Sequence, residues 1–334
     1  MRESYRVAVV GATGAVGNTM LQLLEERSFP IASLKLLASH RSAGEILSFK
    51  DTPIIIEELT HDSFEDVDVV FSSAGASVSR EFIPTAVEKG ALVIDNTSAF
   101  RMDAATPLVV PEVNMDAART HNGLIANPNC STIQMMVALK PIYDIAGIKR
   151  IVVSTYQSVS GKSGRAVMEL VQQTTEALEG KPVTLDKFPH QMAFNVSFDW
   201  PFLESGDNEE EVKMINETRK ILEDDTIGVS ATTVRVPVFF AHSESINIET
   251  HEKLTAAQAR ECLAAAPGVK LVDDPSNQQY PLAVDVAGED EVYVGRIRDD
   301  ASIDNGLNLW VVADNLRKGA ALNAIQIAEN LLSI

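Results

Sequence analysis

A cysteine that does covalent chemistry needs something to hold it as a thiolate, and the stretch NPNCST, residues 127–132, places one of the chain's two cysteines where a helix would do so. The run GLIAN before it reads as a short strand, and STIQMMVALKPIYDI after it reads as a mainly apolar helix, so Cys130 stands at a strand-to-helix junction. A helix amino terminus stabilises negative charge on sulfur, and its open N–H groups can hold an oxyanion. On those six residues alone, a small buried apolar residue is the commoner meaning of a lone cysteine. The other cysteine, Cys262 in AAQARECLAAAPG, falls on an expected helix and reads as structural.

A second chemical signal lies near the start. In YRVAVVGATGAVGNTMLQLLEER, Val7, Val9 and Val10 form a strand, Gly11, Gly14 and Gly17 a turn, and Met20, Leu21, Leu23 and Leu24 the apolar stripe of a helix. This spacing permits a tight turn, close backbone approach to a pyrophosphate and close helix packing, although packing alone also produces such turns. The next strand, LKLLAS, ends about twenty residues further on, where an NAD-binding chain carries an acid for the ribose hydroxyls. Here the chain reads SHRSAGE, and Ser39 and Arg41 favour the 2′-phosphate of NADP; a plain exposed loop is the alternative. Strand-like runs at DVDVVFSSAG and GALVIDNTSAF, separated by the helical SREFIPTAVEKG, complete an α/β alternation: a Rossmann-type, doubly wound parallel sheet. SSAG, residues 72–75, closes its strand where such sheets hold ligands, so Ser73, Ala74 and Gly75 are a candidate wall of the nicotinamide site.

The elements that must position these groups fit in 334 residues as two domains. From IKRIVVSTYQSVSG onward longer strands, TTVRVPVFF and SESINIETHE, alternate with helices near 163–178 and 255–265, an α+β domain on one sheet inserted after Cys130. The closing NLRKGAALNAIQIAENLLSI reads as a helix that returns to the first domain. The expected division is 1–129 plus 315–334 for the dinucleotide domain and 130–314 for the other, with the active site in a cleft between them. A net charge of −19 argues against a nucleic-acid partner, so a site for an anionic substrate must gather basic residues locally. No window approaches the roughly 18 apolar residues of a membrane span, and the opening MRESYRVAVV carries no basic-then-apolar leader. Two widely separated cysteines make a disulfide scaffold improbable and a reducing cytoplasm the expected home. The six histidines show no metal-ligand spacing. SVSGKSGRAVMEL looks like a phosphate-binding P-loop but fails, because Tyr156 occupies the position of the first glycine.

Taken in order, GATGAVG, RSAG, DNTSAFRMD, VPEVN, NPNCST, TYQSVSG, AFNV, VRVPVFFAHSE, VGRIR and NGLNLWVVADNLRKGAALNA span about residue 6 to residue 330. The chain thereby resembles the bacterial aspartate-semialdehyde dehydrogenase family. The resemblance implies a dinucleotide domain followed by a catalytic and dimerisation domain. It implies NADPH-dependent reductive dephosphorylation of L-4-aspartyl phosphate to L-aspartate 4-semialdehyde and phosphate, reversibly and through a cysteine thioester, in lysine, threonine and methionine biosynthesis. Its nucleophile corresponds to Cys130, its acid/base histidine to His242 in FFAHSE, and the glutamine that positions the thioacyl group to Gln157. Arg235 matches the arginine that binds the substrate α-carboxylate, and Arg101, with Asn96 close by in sequence, the phosphate-binding one. Asn129 lines the substrate site, Lys213 fits a second phosphate contact, and Glu210 would hold the α-amino group, with Glu209 and Glu211 as alternatives. Without the family, NEEEVKMINETRKILEDD would be an exposed, salt-bridged helix. Cofactor contacts are implied at Gly11, Thr13, Gly14, Ala15, Val16, Ser39, Arg41, Ser42, Ser73, Ala74, Gly75, Ser160, Gly161 and Asn315. The family assembles as homodimers, in some members as tetramers.

The chain departs from the family pattern twice. Glu45 follows RSAG where a lysine is common, which puts the NADP preference in question, and Lys162-Ser163 interrupts a turn that usually reads SGAG or SGTG. The rival readings are N-acetylglutamyl-phosphate reductase, which has a glycine where Asn129 stands, an acyl-CoA reductase of the same superfamily, and a non-catalytic NADP-binding paralogue. Glyceraldehyde-3-phosphate dehydrogenase shares the thioester logic, but its site has no use for an α-carboxylate arginine. The presence of Cys130, Gln157, Arg235 and His242 together argues against the non-catalytic reading.

Overall fold

The computed structural model of the chain describes residues 3–334, so Met1 and Arg2 lie outside the described residues. The chain forms two compact units. One runs to Asn129 and resumes with Ala320–Ile334; the other is Cys130–Gly319.

The first unit contains β1 (Tyr5–Val10), α1 (Ala15–Glu26), β2 (Ile31–Ala38), β3 (Ile46–Phe49), β4 (Thr52–Glu58), β5 (Val69–Ser72), α2 (Ala76–Glu88), β6 (Leu92–Asp95), α3 (Pro111–Asn114), β7 (Leu124–Ala126) and a closing helix, Leu322–Leu332. Its sheet runs β3-β4-β2-β1-β5-β6-β7 and is parallel except where β3 pairs antiparallel with β4. Both faces are covered, which explains the near-continuous apolar run of β1. Val7 and Val9 enter a core shared with Met20, Leu23 and Leu24 of α1 and with Ile325 of the closing helix. Ala8 and Val10 enter another, with Ile83 and Ala86 of α2. Each valine, leucine, isoleucine or methionine among them contributes about 1.5–3 kcal/mol when fully buried. Because β2 and β5 flank β1 on opposite sides, the chain leaves the C-terminal ends of β1 and β5 in opposite directions, and a crevice opens there.

The second unit contains α4 (Cys130–Ala146), β8 (Ile148–Gln157), α5 (Gly164–Leu178), α6 (Glu209–Leu222), β9 (Gly228–Arg235), β10 (His242–Thr250), α7 (Ala256–Ala264), β11 (Val269–Leu271), α8 (Ala283–Val286), β12 (Val292–Asp300) and β13 (Gly306–Ala313). All six strands belong to one sheet, ordered β11-β12-β13-β10-β8-β9. α4 packs on β8, β10 and β13. It is apolar almost all round because Ile133, Met135, Met136, Leu139 and Ile142 are all buried.

Two sequence expectations change here. TTVRVPVFF is not one strand: β9 stops at Arg235, Val236 turns its N–H to the Gln157 carbonyl, and Pro237 has no N–H to carry a ladder further. The closing run is not one regular helix either, since Arg317–Ala321 is wound as a π turn before Leu322–Leu332.

The register places four strand ends together. Gln157 pairs with Arg235, Tyr156 with Ser243, and His242 with Ala313. The ends of β8, β9 and β13 and the start of β10 therefore share one edge of the sheet.

Candidate active site

Cys130 is the first residue of α4 and is partly exposed, while Ser131 and Thr132 behind it are fully buried. The turn at the end of the unit passes close to it: a Cβ on Gly319 would lie 3.0 Å from the Cys130 Cβ, so glycine is what fits there. Gln157 ties the helix start to the sheet edge. Its Nε2 donates to the Ser131 hydroxyl at 3.0 Å and to Glu210 Oε1 at 3.3 Å.

His242 is wholly buried. Its Nδ1 lies 3.0 Å from the Ser158 N–H and 3.0 Å from the Ser158 hydroxyl. A backbone N–H can only donate, so Nδ1 accepts and the neutral ring carries its proton on Nε2. That Nε2 has no hydrogen-bond partner. Burial, and then the charge of Arg235, push the imidazole well below its ordinary pKa, so the ring is neutral at neutral pH. Gly161 lies against it: a Cβ there would come 3.0 Å from Cε1 and Nε2 of His242 and 3.1 Å from Nη1 of Arg235. A side chain at position 161 would therefore crowd the unfilled donor and the guanidinium together.

Asn315 organises the ring's far side. Its Oδ1 accepts from the Ser158 and Ser160 hydroxyls and from the Ala241 N–H, each at 3.1 Å, while its Nδ2 is buried without a partner. Arg235 is 3% exposed. Its Nη1 donates to the Ser158 carbonyl at 2.9 Å, and its guanidinium stacks over Trp200 at 4.4 Å. Desolvation lowers its pKa, with the charges of Asp199, Glu210 and Cys130 acting the other way, so the thiol and the guanidinium feel each other's field.

The three consecutive acids separate by environment. Glu209 is exposed. Glu211 closes a capping box, accepting from the Asn208 and Thr233 N–H groups. Glu210 is buried against Gln157, and Lys213 reaches it at 3.5 Å. Cys262 lies on α7 with its Sγ on the Ala259 carbonyl, and burial raises its pKa.

In the first unit, Arg101 is buried and donates from Nε to the Asn127 carbonyl and from Nη2 to the Asn96 carbonyl, both at 2.9 Å. Asn127 is itself held by Asn323 at 2.6 Å. Asn129, also buried, ends the first segment of the unit. The crevice at β1 and β5 suits a dinucleotide. Gly11 has φ +84°, and a Cβ on it would lie 3.0 Å from the Ala74 nitrogen. A Cβ on Gly17 would lie 2.2 Å from the Gly11 carbonyl, so the helix can start this close to the turn only with glycine there. Gly14 caps α1 without any side-chain bond, and no acid stands in the first turn, leaving the N–H groups of Ala15 and Val16 to an anion. Thr13 is exposed beside them, and Ser73 binds back to the Val10 carbonyl ahead of Ala74 and Gly75, the latter capping α2. Ser39, Arg41 and Ser42 lie in a turn after β2, Ser39 and Arg41 exposed and Ser42 half-buried. Glu45, also exposed, is bonded through its backbone to Ser42 and Ile56.

This geometry has known counterparts. The family description "Semialdehyde dehydrogenase, NAD binding domain" matches residues 6–121, and "Semialdehyde dehydrogenase, dimerisation domain" matches residues 139–318. An aspartate-semialdehyde dehydrogenase of Aquifex aeolicus is 54% identical over 334 residues, covering 98% of each chain. The chain belongs to the aspartate-semialdehyde dehydrogenase family. A family member from Vibrio cholerae, solved in complex with ASA, superposes with a TM-score of 0.96 at 47% identity over 99% of each chain. A more distant member of the family, from Candida albicans and solved with NADP, has a TM-score of 0.74 at 26% identity over 98% of each chain.

Two features of this family member's site were not read from its sequence. Ser158 fixes the His242 tautomer, and its position directly after Gln157 was the available signal. Asp199 and Trp200, in SFDWPF, stand beside Arg235, and an acid next to a tryptophan and a proline gave no periodic cue.

Proposed function

We propose that the chain is an NADP-dependent aspartate-semialdehyde dehydrogenase, interconverting L-4-aspartyl phosphate with L-aspartate 4-semialdehyde and phosphate through a thioester on Cys130. The observation that carries this reading is the buried His242 Nε2, a proton donor with no partner, on a sheet edge whose Gln157 is bonded to the residue after Cys130.

In the reductive direction the Cys130 thiolate forms a C–S bond to the acyl carbon, and the carbonyl electron pair moves to oxygen. Collapse restores the carbonyl and breaks the C–O bond to phosphate, which leaves. The helix start favours the thiolate, and the His242 Nε2–H stabilises the oxygen on which charge develops. NADPH, when bound along the Gly11–Val16 turn, Ser39, Arg41, Ser42, Ser73–Gly75, Ser160, Gly161 and Asn315, supplies the hydride that reduces the thioester. His242 then handles the proton on the resulting oxygen as the thiolate departs. Arg235 takes the α-carboxylate in a planar fork, Glu210 the α-amino group, and Arg101 and Lys213 the phosphate, with Asn129 lining the site.

The product's place in lysine, threonine and methionine synthesis goes with this reaction. We assign the chain to the cytoplasm as a homodimer; among the described residues no helix is long and apolar enough to cross a membrane. The dimerising surface we propose is the sheet face carrying Ser243, Ser245 and Trp310, opposite the face that holds His242 and Glu244. Light scattering at the mass of one chain would remove that assignment.

The test of the reaction is NADPH formation at about 340 nm from aspartate semialdehyde and NADP, with and without inorganic phosphate. Phosphate-dependent reduction is expected. A folded, NADPH-binding protein that gives none has a different acyl substrate or no catalytic role.

A further inference from the structure

Asp199 is a buried carboxylate, its side chain 2% exposed, and such a charge needs partners. Two cations reach it, and they do so unequally. Lys162 Nζ lies 2.5 Å from Oδ1, a charge-assisted hydrogen bond, and also stands 5.1 Å over the Phe188 ring. Arg235 Nε lies 3.5 Å from Oδ2, too far for a good hydrogen bond, and is buried with no hydrogen-bond partner at all. The Arg235 guanidinium is held instead by the Ser158 carbonyl and by the face of Trp200.

The consequence is electrostatic. Two positive groups reach Asp199, and the hydrogen bond goes to Lys162, so the Arg235 guanidinium keeps a buried Nε that Asp199 does not engage. Were Lys162 absent, Arg235 would be the cation left to Asp199 among the described residues, and the carboxylate would draw in the Nε and compete with any substrate carboxylate for the same fork. Lys162 is one of the two residues at which the turn departs from the pattern that the resemblance implies.

We propose that Lys162, acting through Asp199, is a positioning residue that keeps Arg235 available to the α-carboxylate of the substrate and so sets the affinity for semialdehyde. The proposal rests on the reading of Arg235 as the carboxylate-binding residue.

The test is a double-mutant cycle of Lys162→Met and Asp199→Asn on the full-length enzyme, reading kcat and the KM values for semialdehyde, phosphate and NADP. Lys162→Met should raise the semialdehyde KM about tenfold, with kcat and the other two KM values within about twofold, and Lys162→Arg should restore most of the affinity. In the Asp199→Asn background the Lys162→Met change should add nothing. An equal rise in both backgrounds, or a fall in kcat with the semialdehyde KM unchanged, overturns the proposal. If Asp199→Asn does not fold, the split between semialdehyde and phosphate KM in Lys162→Met decides: equal changes in both overturn it. Arg235→Lys separates the two readings. An unchanged semialdehyde KM in that variant removes the carboxylate assignment itself, whereas a raised KM there with none in Lys162→Met removes only the role of Lys162.

Discussion

At the ends of β1 and β5 the chain offers main-chain N–H groups and positions where a Cβ would collide; at the shared edge of β8, β9, β10 and β13 it offers buried side chains bonded to one another. Gly11, Gly17 and the uncapped start of α1 make the first region, and its side chains, Thr13, Ser39 and Arg41, are exposed. Gln157, Ser158, Glu210, Arg235, His242 and Asn315 make the second, each in hydrogen bonds with others of the group or with their backbone. A site built from backbone holds a ligand's constant part and tolerates changes of surface side chain. A site built from interlocked side chains supplies chemistry, and any change of group is felt.

The largest expected effect tests the second half of that contrast. Cys130→Ala should lower turnover by about a thousandfold or more, since the covalent route is lost, while NADPH affinity stays within about twofold. Stopped-flow turnover and fluorescence titration of the cofactor measure the two quantities. Substantial residual activity would place the nucleophile elsewhere.

The next effect tests the first half. Gly11→Ala puts a Cβ at φ +84° and 3.0 Å from the Ala74 backbone, so it should cost about 1–2 kcal/mol of stability and raise the KM for NADP about tenfold. Thr13→Ala, two residues away but exposed, should change either value by no more than about twofold. Thermal melts with and without NADP provide the comparison. Equal effects of the two variants would mean that the turn is held by side chains, and the contrast would fail.

The same contrast explains what could be read from sequence. The crevice was legible because its requirements are positional: a strand, three glycines at fixed spacing, a helix, and no acid after the second strand. The mostly parallel character of the sheet followed from the alternation, whereas the order of its strands did not. At the second site Cys130 was legible as a strand-to-helix junction, yet Gln157, His242, Arg235 and Arg101 carried no local pattern and became visible only through resemblance to a family. Their convergence depends on register between strands far apart in sequence, as with Gln157 against Arg235 and His242 against Ala313. The choice among Glu209, Glu210 and Glu211 depended on which faces inward and which closes a capping box, which charge patterning does not encode. Lys162 was read as a small disturbance of a turn because its partner, Asp199, lies 37 residues away.

The last effect, read in stability and not in turnover, concerns the exception inside the bonded region. Glu244 follows His242 by two residues on β10, is fully buried, and has no hydrogen-bond partner on either oxygen. Burial raises its pKa well above the ordinary value, with Gln134 the polar neighbour acting against that shift. The folded protein therefore keeps a proton that the unfolded chain loses, and the sign of the linkage follows. Below the unfolded pKa, near about 4.3, the ionisation of Glu244 costs nothing; above it, stability falls by about 1.4 kcal/mol per pH unit until the folded pKa is reached. Glu244→Gln removes that slope whatever constant offset the amide introduces. The stability difference between variant and parent, from denaturant melts between about pH 5 and 8, should grow in the variant's favour as pH rises. A difference that stays flat across this range would mean that Glu244 is ionised and paired in the folded protein, and the second site would then have no unbonded acid at its core.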